Sequence, residues 1–264
     1  MSTSGGNSNQ ISPTKVVGDG SLELIDTHAH LEGFSDKASM AESAKAAGVV
    51  AVVAVSADLE TCEYTLKLAE EYPEFIYPAL GIHPQEVDKN VEPAFAFIEE
   101  HLGECVAVGE IGLDYWTKVD RGLQFKVFSR LLEFALSRDL PVSIHSRGAW
   151  EECYQLLKDK GVRKVVFHWF SGPSETLKRV LDSGYLVSAT PALEYSKAHK
   201  GAIRETPLEA LVLETDSPVR YHGKESEPAD VAKTLRFVAE LKGLSEDEVA
   251  SRTTENARHL FNLR

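Results

Sequence analysis

Eight short apolar segments recur along the chain, separated by segments of helical or polar character. Most of the eight are continuously apolar rather than alternating, as expected of parallel strands that are buried on both faces. The pattern therefore predicts eight strands, at LELIDTHAH (22–30), VVAVVAVSA (49–57), FIYPALGIH (75–83), CVAVGEIGL (105–113), LPVSIHS (140–146), KVVFHWF (164–170), GYLVSAT (184–190) and ALVLETD (210–216).

Helical patterns lie between the predicted strands. One helix is predicted over 228–240, where Pro228 suits the first turn. A terminal helix is predicted to begin at Ser245, whose SEDE sequence has the form of a capping box. The segment 196–204 has a weaker helical pattern. The clearest helix covers 120–138, where apolar residues recur at i, i+4, i+8 and i+11, namely Leu123, Val127, Leu131 and Phe134.

Alternating strands and helices imply parallel strands joined by right-handed crossovers. Eight such units within one chain favour a closed (β/α)8 TIM barrel over an open doubly wound sheet. No glycine-rich phosphate loop follows the first strand, which argues against a dinucleotide-binding fold. We therefore predict an α/β fold with a single barrel domain over 21–264, preceded by a flexible tail over 1–20 that is rich in Ser, Gly and Asn.

Composition limits the classes of function. The 264 residues carry 28 Lys and Arg against 41 Asp and Glu, a formal net charge of −13, which makes a poor surface for counterion-driven binding to nucleic acid. A polyanionic substrate would need concentrated positive charge, and divalent metals are the obvious source.

No apolar run approaches the roughly 18–20 residues of a membrane span, and no secretory signal is visible. The three cysteines form no CxxC pair, which suits a cytoplasmic location.

Histidine and carboxylate residues collect at the ends of the predicted strands. In a barrel of this kind the active site lies at the carboxyl ends of the strands. A lone strand-end histidine is usually a hydrogen-bonded structural residue. Seven polar residues converging on one rim instead predict a functional site, made of His28, His30, His83, Glu110, His145, His168 and Asp216.

This set of nitrogen and oxygen donors suits metal ions. Zn²⁺ or another first-row divalent ion fits best, with Mn²⁺ or Mg²⁺ as alternatives. Six ligands are too many for one tetrahedral ion and about right for two ions with open positions. Two ions can activate a water and stabilise the attacking and leaving oxygens of a displacement. Because a carboxylate can bridge two ions whereas an imidazole ordinarily binds one, Glu110 is the natural bridge.

The ordered motifs resemble a known family, the TatD-type metal-dependent deoxyribonucleases of the amidohydrolase superfamily. The resemblance covers essentially all of 22–264 and implies a metal-dependent TIM barrel. Each short motif is common, but their order is specific. They are IDTHAHL, GIHP, GEIGLD, LPVSIHSR, HWFSG, LETDSP and TTENARHLF.

The resemblance also implies roles for individual residues. His28, His30 and Asp216 would bind one metal, Glu110 would bridge, and the second metal would be completed by His145 and His168. Asp216 also matches the residue that orients or deprotonates the nucleophilic water, so Asp216 and Glu110 are the predicted catalytic residues.

Two further residues are predicted to contact substrate. His83 matches a position near the site that touches phosphate or a further ion. Arg147 lies two residues after His145 and would hold a phosphate oxygen, although a plain surface arginine fits the sequence equally well. Gln85 stands where many relatives have another histidine, and the segment 217–228 differs from the usual loop, so substrate preference stays open.

Three functions compete at this stage. The leading hypothesis is hydrolysis of DNA phosphodiester bonds, in single strands or at ends, by a water that a binuclear metal centre activates. The second is an amidohydrolase-type acyl hydrolase, such as a D-aminoacyl-tRNA deacylase or a lactonase. Many binuclear amidohydrolases bridge their metals with a carboxylated lysine, and no predicted strand end carries Lys. The third is a non-catalytic binding scaffold, against which the retention of every expected ligand argues.

Overall fold

The computed structural model describes residues 22–88 and 90–264, so the predicted tail over 1–20 lies outside the described residues. Eight parallel strands follow one another around the sheet in chain order, which confirms the predicted (β/α)8 barrel. Their cores match the eight predicted segments with shorter ends. They are β1 (Leu24–Ala29), β2 (Val49–Val55), β3 (Ile76–Leu80), β4 (Ala107–Gly112), β5 (Val142–His145), β6 (Val165–Phe167), β7 (Leu186–Ala189) and β8 (Leu211–Leu213).

Helices follow the strands in the described part of the chain. A short antiparallel hairpin, β9 (Arg220–Tyr221) with β10 (Lys224–Glu225), lies between β8 and the last helices. The helices are α1 (Lys37–Ala46), α2 (Leu59–Glu71), α3 (Glu92–His101), α4 (Arg121–Ser137), α5 (Trp150–Lys160), α6 (Ser174–Asp182), α7 (Lys197–Glu205), α8 (Val231–Lys242) and α9 (Glu246–Phe261).

The predicted helices are confirmed with small shifts at their ends. α4 covers the interior of the predicted segment, and α9 starts after Ser245, whose side chain accepts a hydrogen bond from the backbone N–H of Glu248. α8 starts later than predicted because Pro228–Asp230 form a 3-10 turn first. The weakly patterned 196–204 also becomes a helix, α7. Ser196 caps α7 by accepting a hydrogen bond from the backbone N–H of His199, a local signal that an apolar pattern does not contain.

Two groups of buried apolar residues stabilise the barrel. The larger group lies between the strands and the surrounding helices. A smaller cluster lines the inner face of the strands, with mostly small residues such as Val53, Ala79 and Ala107, and packs against Leu260 and Phe261 at the end of α9. Small inward residues and a filled interior are expected of an eight-stranded barrel. The apolar interior leaves the carboxyl ends of the strands for polar side chains.

The barrel closes between its first and last strands through a few specific hydrogen bonds. The backbone N–H of Asp216 donates to the His28 carbonyl at 3.0 Å, and the N–H of His30 donates to the Ser217 carbonyl at 2.7 Å. Below them, the Asp26 carboxylate accepts from the backbone N–H of Thr215 at 2.9 Å and from its hydroxyl at 2.6 Å. This seam places the first and last sequence motifs side by side.

The described helices include no segment with the length and apolarity needed to cross a membrane.

Candidate metal centre

Glu110 lies at the middle of the predicted site and is 2% exposed. Its Oε2 atom is 3.3 Å from His28 Nε2 and 3.2 Å from His30 Nε2. Its Oε1 atom is 2.7 Å from His145 Nδ1 and 3.3 Å from His168 Nε2. The two carboxylate oxygens therefore face different pairs of imidazoles, which is the geometry that a bridging ligand needs.

Asp216 lies on the side of Glu110 that faces the barrel seam. Its Oδ1 atom is 3.6 Å from His28 Nε2 and 3.9 Å from His30 Nε2. Its φ of 52° is in the left-handed region, which costs energy for a residue with a Cβ and is common at functional sites. We call His28, His30 and Asp216 the seam group; each offers one ligand atom, and these atoms lie within 4.8 Å of one another.

A second set lies on the other side of the Glu110 carboxylate. His83, Glu110 and His145, here called the rim group, also bring their ligand atoms within 4.8 Å of one another. His83 Nε2 is 3.6 Å from Glu110 Oε1, so a residue predicted to contact substrate stands among the candidate ligands. His168 reaches the same oxygen and stacks on His28, with ring centroids 4.0 Å apart.

His28 and His168 are each oriented by a partner on the nitrogen that faces away from the centre. His28 Nδ1 is 3.0 Å from the Ser143 hydroxyl, and His168 Nδ1 is 2.9 Å from Glu214 Oε1. Metal-binding histidines commonly have such a partner, which turns the other nitrogen toward the ion. His28 Nε2 is buried and has no hydrogen-bond partner among the described residues. Since buried polar atoms are normally paired, this nitrogen fits a metal ligand.

The carboxylates of the site raise the pKa of neighbouring imidazoles, and the imidazoles lower the pKa of Glu110. Burial alone would lower the pKa of His30 and His168, but nearby carboxylates raise the pKa of His30 to about 9 and that of His168 to about 10. Burial raises the pKa of Asp216. Burial would also raise the pKa of Glu110, but the surrounding imidazoles hold it well below its usual value. Without a metal, His30 and His168 therefore hold protons near pH 7, and metal binding would release them.

His83 differs from the other imidazoles because burial lowers its pKa to about 3. Its Nδ1 accepts a hydrogen bond from the backbone N–H of Gln85 at 3.1 Å, so the neutral ring carries its proton on Nε2. The Gln85 side chain donates to Asp114 Oδ2 at 2.8 Å. Gln85, the departure from the usual motif, therefore contacts Asp114 and not the candidate ligands.

Asp114 and Glu214 are functional candidates that the sequence prediction missed. Asp114 is fully buried, and its Oδ2 lies 3.1 Å from His145 Nε2 and accepts two hydrogen bonds from Arg147, at 3.0 and 2.7 Å. Burial opposes the charge of Asp114, but these partners lower its pKa. Both residues lie within the quoted motifs GEIGLD and LETDSP. Glu214 stands two positions before Asp216, a strand spacing that indicates a shared face.

Arg147 and the aromatic residues of the HWFSG motif lie at different distances from the centre. Arg147 is at the rim, where both of its described side-chain hydrogen bonds go to Asp114. Of the aromatic residues in HWFSG, Phe170 is fully buried and packs in the core. The Trp169 ring lies 6.3 Å from the ring of His168 and 5.8 Å from that of Tyr221, so it lines the edge of the site.

Four histidines that the sequence left without a role lie outside the centre. His199 is fully buried, donates from Nδ1 to the Phe170 carbonyl at 2.7 Å and accepts from the Thr190 backbone N–H at 3.1 Å. Burial lowers its pKa to about 4, as suits a neutral structural imidazole. His222 is an exposed loop residue that pairs with Glu194. The other two are on helices, namely His101 and His259.

Comparison with known proteins gives one consistent result. The family model described as TatD related DNase matches residues 25–262. The chain belongs to this family. Among TatD relatives, a Bacillus subtilis protein described as an uncharacterized metal-dependent hydrolase is 35% identical over 254 residues, covering 91% of this chain and 99% of the relative. The human deoxyribonuclease TATDN3 is 33% identical over 258 residues, covering 90% and 94%.

Solved structures agree with this assignment. A TatD homologue from Escherichia coli superposes with a TM-score of 0.86 at 30% identity, covering 91% of this chain and 98% of that one. An uncharacterized amidohydrolase from Saccharomyces cerevisiae has a TM-score of 0.76 at 17% identity, covering 90% and 99%. The second likeness concerns the fold alone. The predicted resemblance to TatD enzymes is therefore confirmed.

Proposed function

We propose that this chain is a metal-dependent deoxyribonuclease that hydrolyses phosphodiester bonds of DNA, in single strands or at ends. The single observation that carries the proposal is the division of the histidines by Glu110, whose two oxygens face different sets of imidazoles. One carboxylate between two such sets suits a pair of ions. The name of the human TatD relative, a deoxyribonuclease, supports DNA as the substrate.

The donor set fits two divalent ions, with Zn²⁺ first and Mn²⁺ or Mg²⁺ as alternatives. His28, His30 and Asp216 would hold one ion together with Glu110. Glu110 would also hold the other, with His145 and His168. When bound, such ions lower the pKa of a water and neutralise charge on the phosphate.

The chain itself supplies positioning and proton transfer. The Asp216 carboxylate, whose residue is held by a backbone hydrogen bond to β1, is the proposed acceptor of the proton from the nucleophilic water, and burial raises its pKa above the usual value for an aspartate. His83 stays neutral near pH 7, and its Nε2–H, which lies 3.2 Å from His145 Nδ1, is the proposed donor to a phosphate oxygen. Arg147, held against Asp114, is the proposed second phosphate contact.

The acyl hydrolase stays the second candidate, because the fold is shared with amidohydrolases. A nuclease leaves new phosphate ends on an oligonucleotide, whereas a deacylase frees an amino acid from charged tRNA. Glu110 at the bridging position, where many binuclear amidohydrolases carry a carboxylated lysine, favours the nuclease. A cytoplasmic location also stays a prediction, which the three buried free cysteines suit.

Add-back of metal to a depleted sample tests the proposal. The depleted protein is assayed on end-labelled single- and double-stranded oligonucleotides, with Zn²⁺, Mn²⁺ and Mg²⁺ restored separately. We expect no cleavage without metal and restored cleavage of single strands with at least one ion. Turnover of charged tRNA or a lactone, with every oligonucleotide intact, would overturn the proposal in favour of the acyl hydrolase.

A further inference from the structure

Trp116 is 70% exposed, the largest exposed fraction among the exposed large hydrophobic residues of the described chain. It lies in the segment that joins β4 to α4 and therefore on the same rim as Glu110, at the carboxyl end of β4. An indole is normally buried for most of its surface, because apolar area in water is unfavourable. Contacts within the described chain leave most of this ring in solvent.

Trp116 is tied to the candidate metal centre by Asp114. The backbone N–H of Trp116 donates to Asp114 Oδ1 at 2.9 Å, and the other oxygen of Asp114 contacts both His145 and Arg147. The guanidinium carbon of Arg147 is 5.6 Å from the centroid of the Trp116 ring, within cation–π range. Trp116, Arg147 and the candidate metal ligand His145 thus all contact the buried carboxylate of Asp114.

The loop after β5 leaves room for this ring. Gly148 has a φ of 73°, a conformation that L side chains rarely adopt, and a Cβ there would lie 2.6 Å from Trp116 Nε1. Glycine therefore lets the edge of the indole contact the loop backbone. Such a close approach indicates that the ring has a defined position against this loop.

We propose that Trp116 is a base-stacking residue for single-stranded DNA, positioned next to the phosphate that the metal centre cleaves. The inference rests on the proposed function and names a subsite for its substrate. Every nucleobase has a flat face, so stacking on an aromatic ring tolerates any sequence. A base within an intact duplex is already stacked and paired, so this contact favours single strands and frayed ends.

Local charge supports nucleic acid as the occupant. The chain as a whole carries −13, so an anionic polymer can be captured only where positive charge is concentrated. Lys118 and Arg121 stand within five residues of Trp116, and the Arg121 guanidinium lies 4.1 Å from the centroid of the Tyr115 ring. Arg147 lies near the exposed indole itself, and the other two cations stand close to Trp116 in the sequence.

The test compares substrates that differ by a single base. Single-stranded oligonucleotides carry either all bases or a stable abasic analogue at one position beside the cleaved bond. We expect the wild-type protein to prefer the intact strand about tenfold in kcat/KM at one such position. Trp116→Ala should lose this preference, whereas Trp116→Phe should keep most of it. The matched control is Leu136→Ala, since Leu136 is also exposed but lies at the far end of α4.

A second measurement does not depend on cleavage. Metal-loaded protein is mixed with the oligonucleotide in a stopped-flow instrument, and indole fluorescence is followed before hydrolysis. Stacking should quench Trp116, and Trp116→Phe should remove that component from the signal of the three tryptophans. Quenching that requires Trp116 without any cleavage would reject the nuclease and retain the stacking site. A base preference that persists in Trp116→Ala, together with unchanged quenching in Trp116→Phe, would reject the stacking site.

Discussion

The seam group and the rim group use the same kinds of side chain but are held in place differently. In the seam group, His28 is fully buried and Asp216 is fixed by backbone hydrogen bonds between β1 and β8. In the rim group, the backbone N–H of Gln85 orients His83, and the Asp114 carboxylate orients His145. The seam group therefore lies across the closure of the barrel, whereas the rim group depends on a layer of polar groups around it.

This difference has a consequence for metal affinity. A ligand fixed by the backbone of a closed barrel loses little freedom when an ion binds, whereas a ligand oriented by side chains must keep that layer ordered as well. We therefore expect the ion at the seam group to bind more tightly and to be the last removed by a chelator. The four predictions that follow test or refine this difference, from the largest effect to the smallest.

Glu110→Gln should abolish the distinction between the groups by weakening both. The amide keeps the size of the side chain but removes the charge that faces both sets of imidazoles, so we expect both ions to be lost and kcat/KM to fall by about a thousandfold or more. Elemental analysis and the oligonucleotide assay measure these effects. Glu255→Gln, an exposed site on α9, is the control. Two retained ions with full activity would contradict a bridging role.

Asp216→Asn should affect one group only. The substitution removes a seam ligand and the proposed proton acceptor, so the metal content should fall toward one ion per chain and cleavage should fall by about a thousandfold. Isothermal titration of the metal-depleted variant should retain a single binding event. If both binding events survive with unchanged affinities, Asp216 is not a ligand.

Asp114→Asn should weaken the rim group and spare the seam group. Loss of the carboxylate partner of His145 should reduce affinity for the second ion, which Glu110, His145 and His168 would hold, by about 10- to 100-fold, as is usual for residues that orient a metal ligand. Ser143→Ala is the matched substitution behind His28 in the seam group. Competition with a chelator measures both affinities, and equal effects of the two variants on both ions would remove the proposed difference in support.

The metal-depleted protein should show opposite pH effects from the two groups. Although burial opposes it, Glu110 and Asp216 raise the pKa of His30 from 6.5 to about 9, so its stabilising contribution is full below pH 6.5 and is lost as the pH rises toward 9. Burial lowers the pKa of His83 from 6.5 to about 3, so the folded state loses stability as the pH falls from 6.5 toward 3.

Urea unfolding at pH 5, 7 and 9 measures this contrast through the free energy of unfolding. His30→Gln should flatten the alkaline side of the profile, and His83→Gln should flatten the acidic side, each by about 1–3 kcal/mol. Identical profiles for the two variants and the wild type would show that neither imidazole titrates differently in the folded and unfolded chain.

Much of the fold could be predicted from local patterns. Each continuous apolar run became a strand because a parallel strand must be apolar on both faces, and α4 followed its apolar stripe. Weak patterns were less informative. α7 depends on capping by Ser196, and the 3-10 turn at Pro228–Asp230 delayed α8.

The site was predictable where ligands stand at strand ends and less so where they support one another. The imidazoles and carboxylates from His28 to Asp216 meet around Glu110, and whether they bind metal stays a prediction. Asp114 was missed because it lies after β4, in a loop whose path no periodicity specifies. Trp116 was missed because the exposure of an indole depends on the tertiary contacts around it, which the sequence alone does not give.

The sequence by itself determined the alternation of strands and helices, the barrel that follows from it and the strand ends that carry histidine and carboxylate. These are local properties, since each depends on residues within one or two turns of chain. Only the tertiary structure decided how those ends are divided, with one oxygen of Glu110 facing the histidines of the seam group and the other facing those of the rim group. It alone also placed Asp114 behind His145 and left Trp116 uncovered. Barrel closure joins residues nearly two hundred positions apart, such as His28 and Asp216. Their distance in space therefore cannot be predicted from a local sequence pattern.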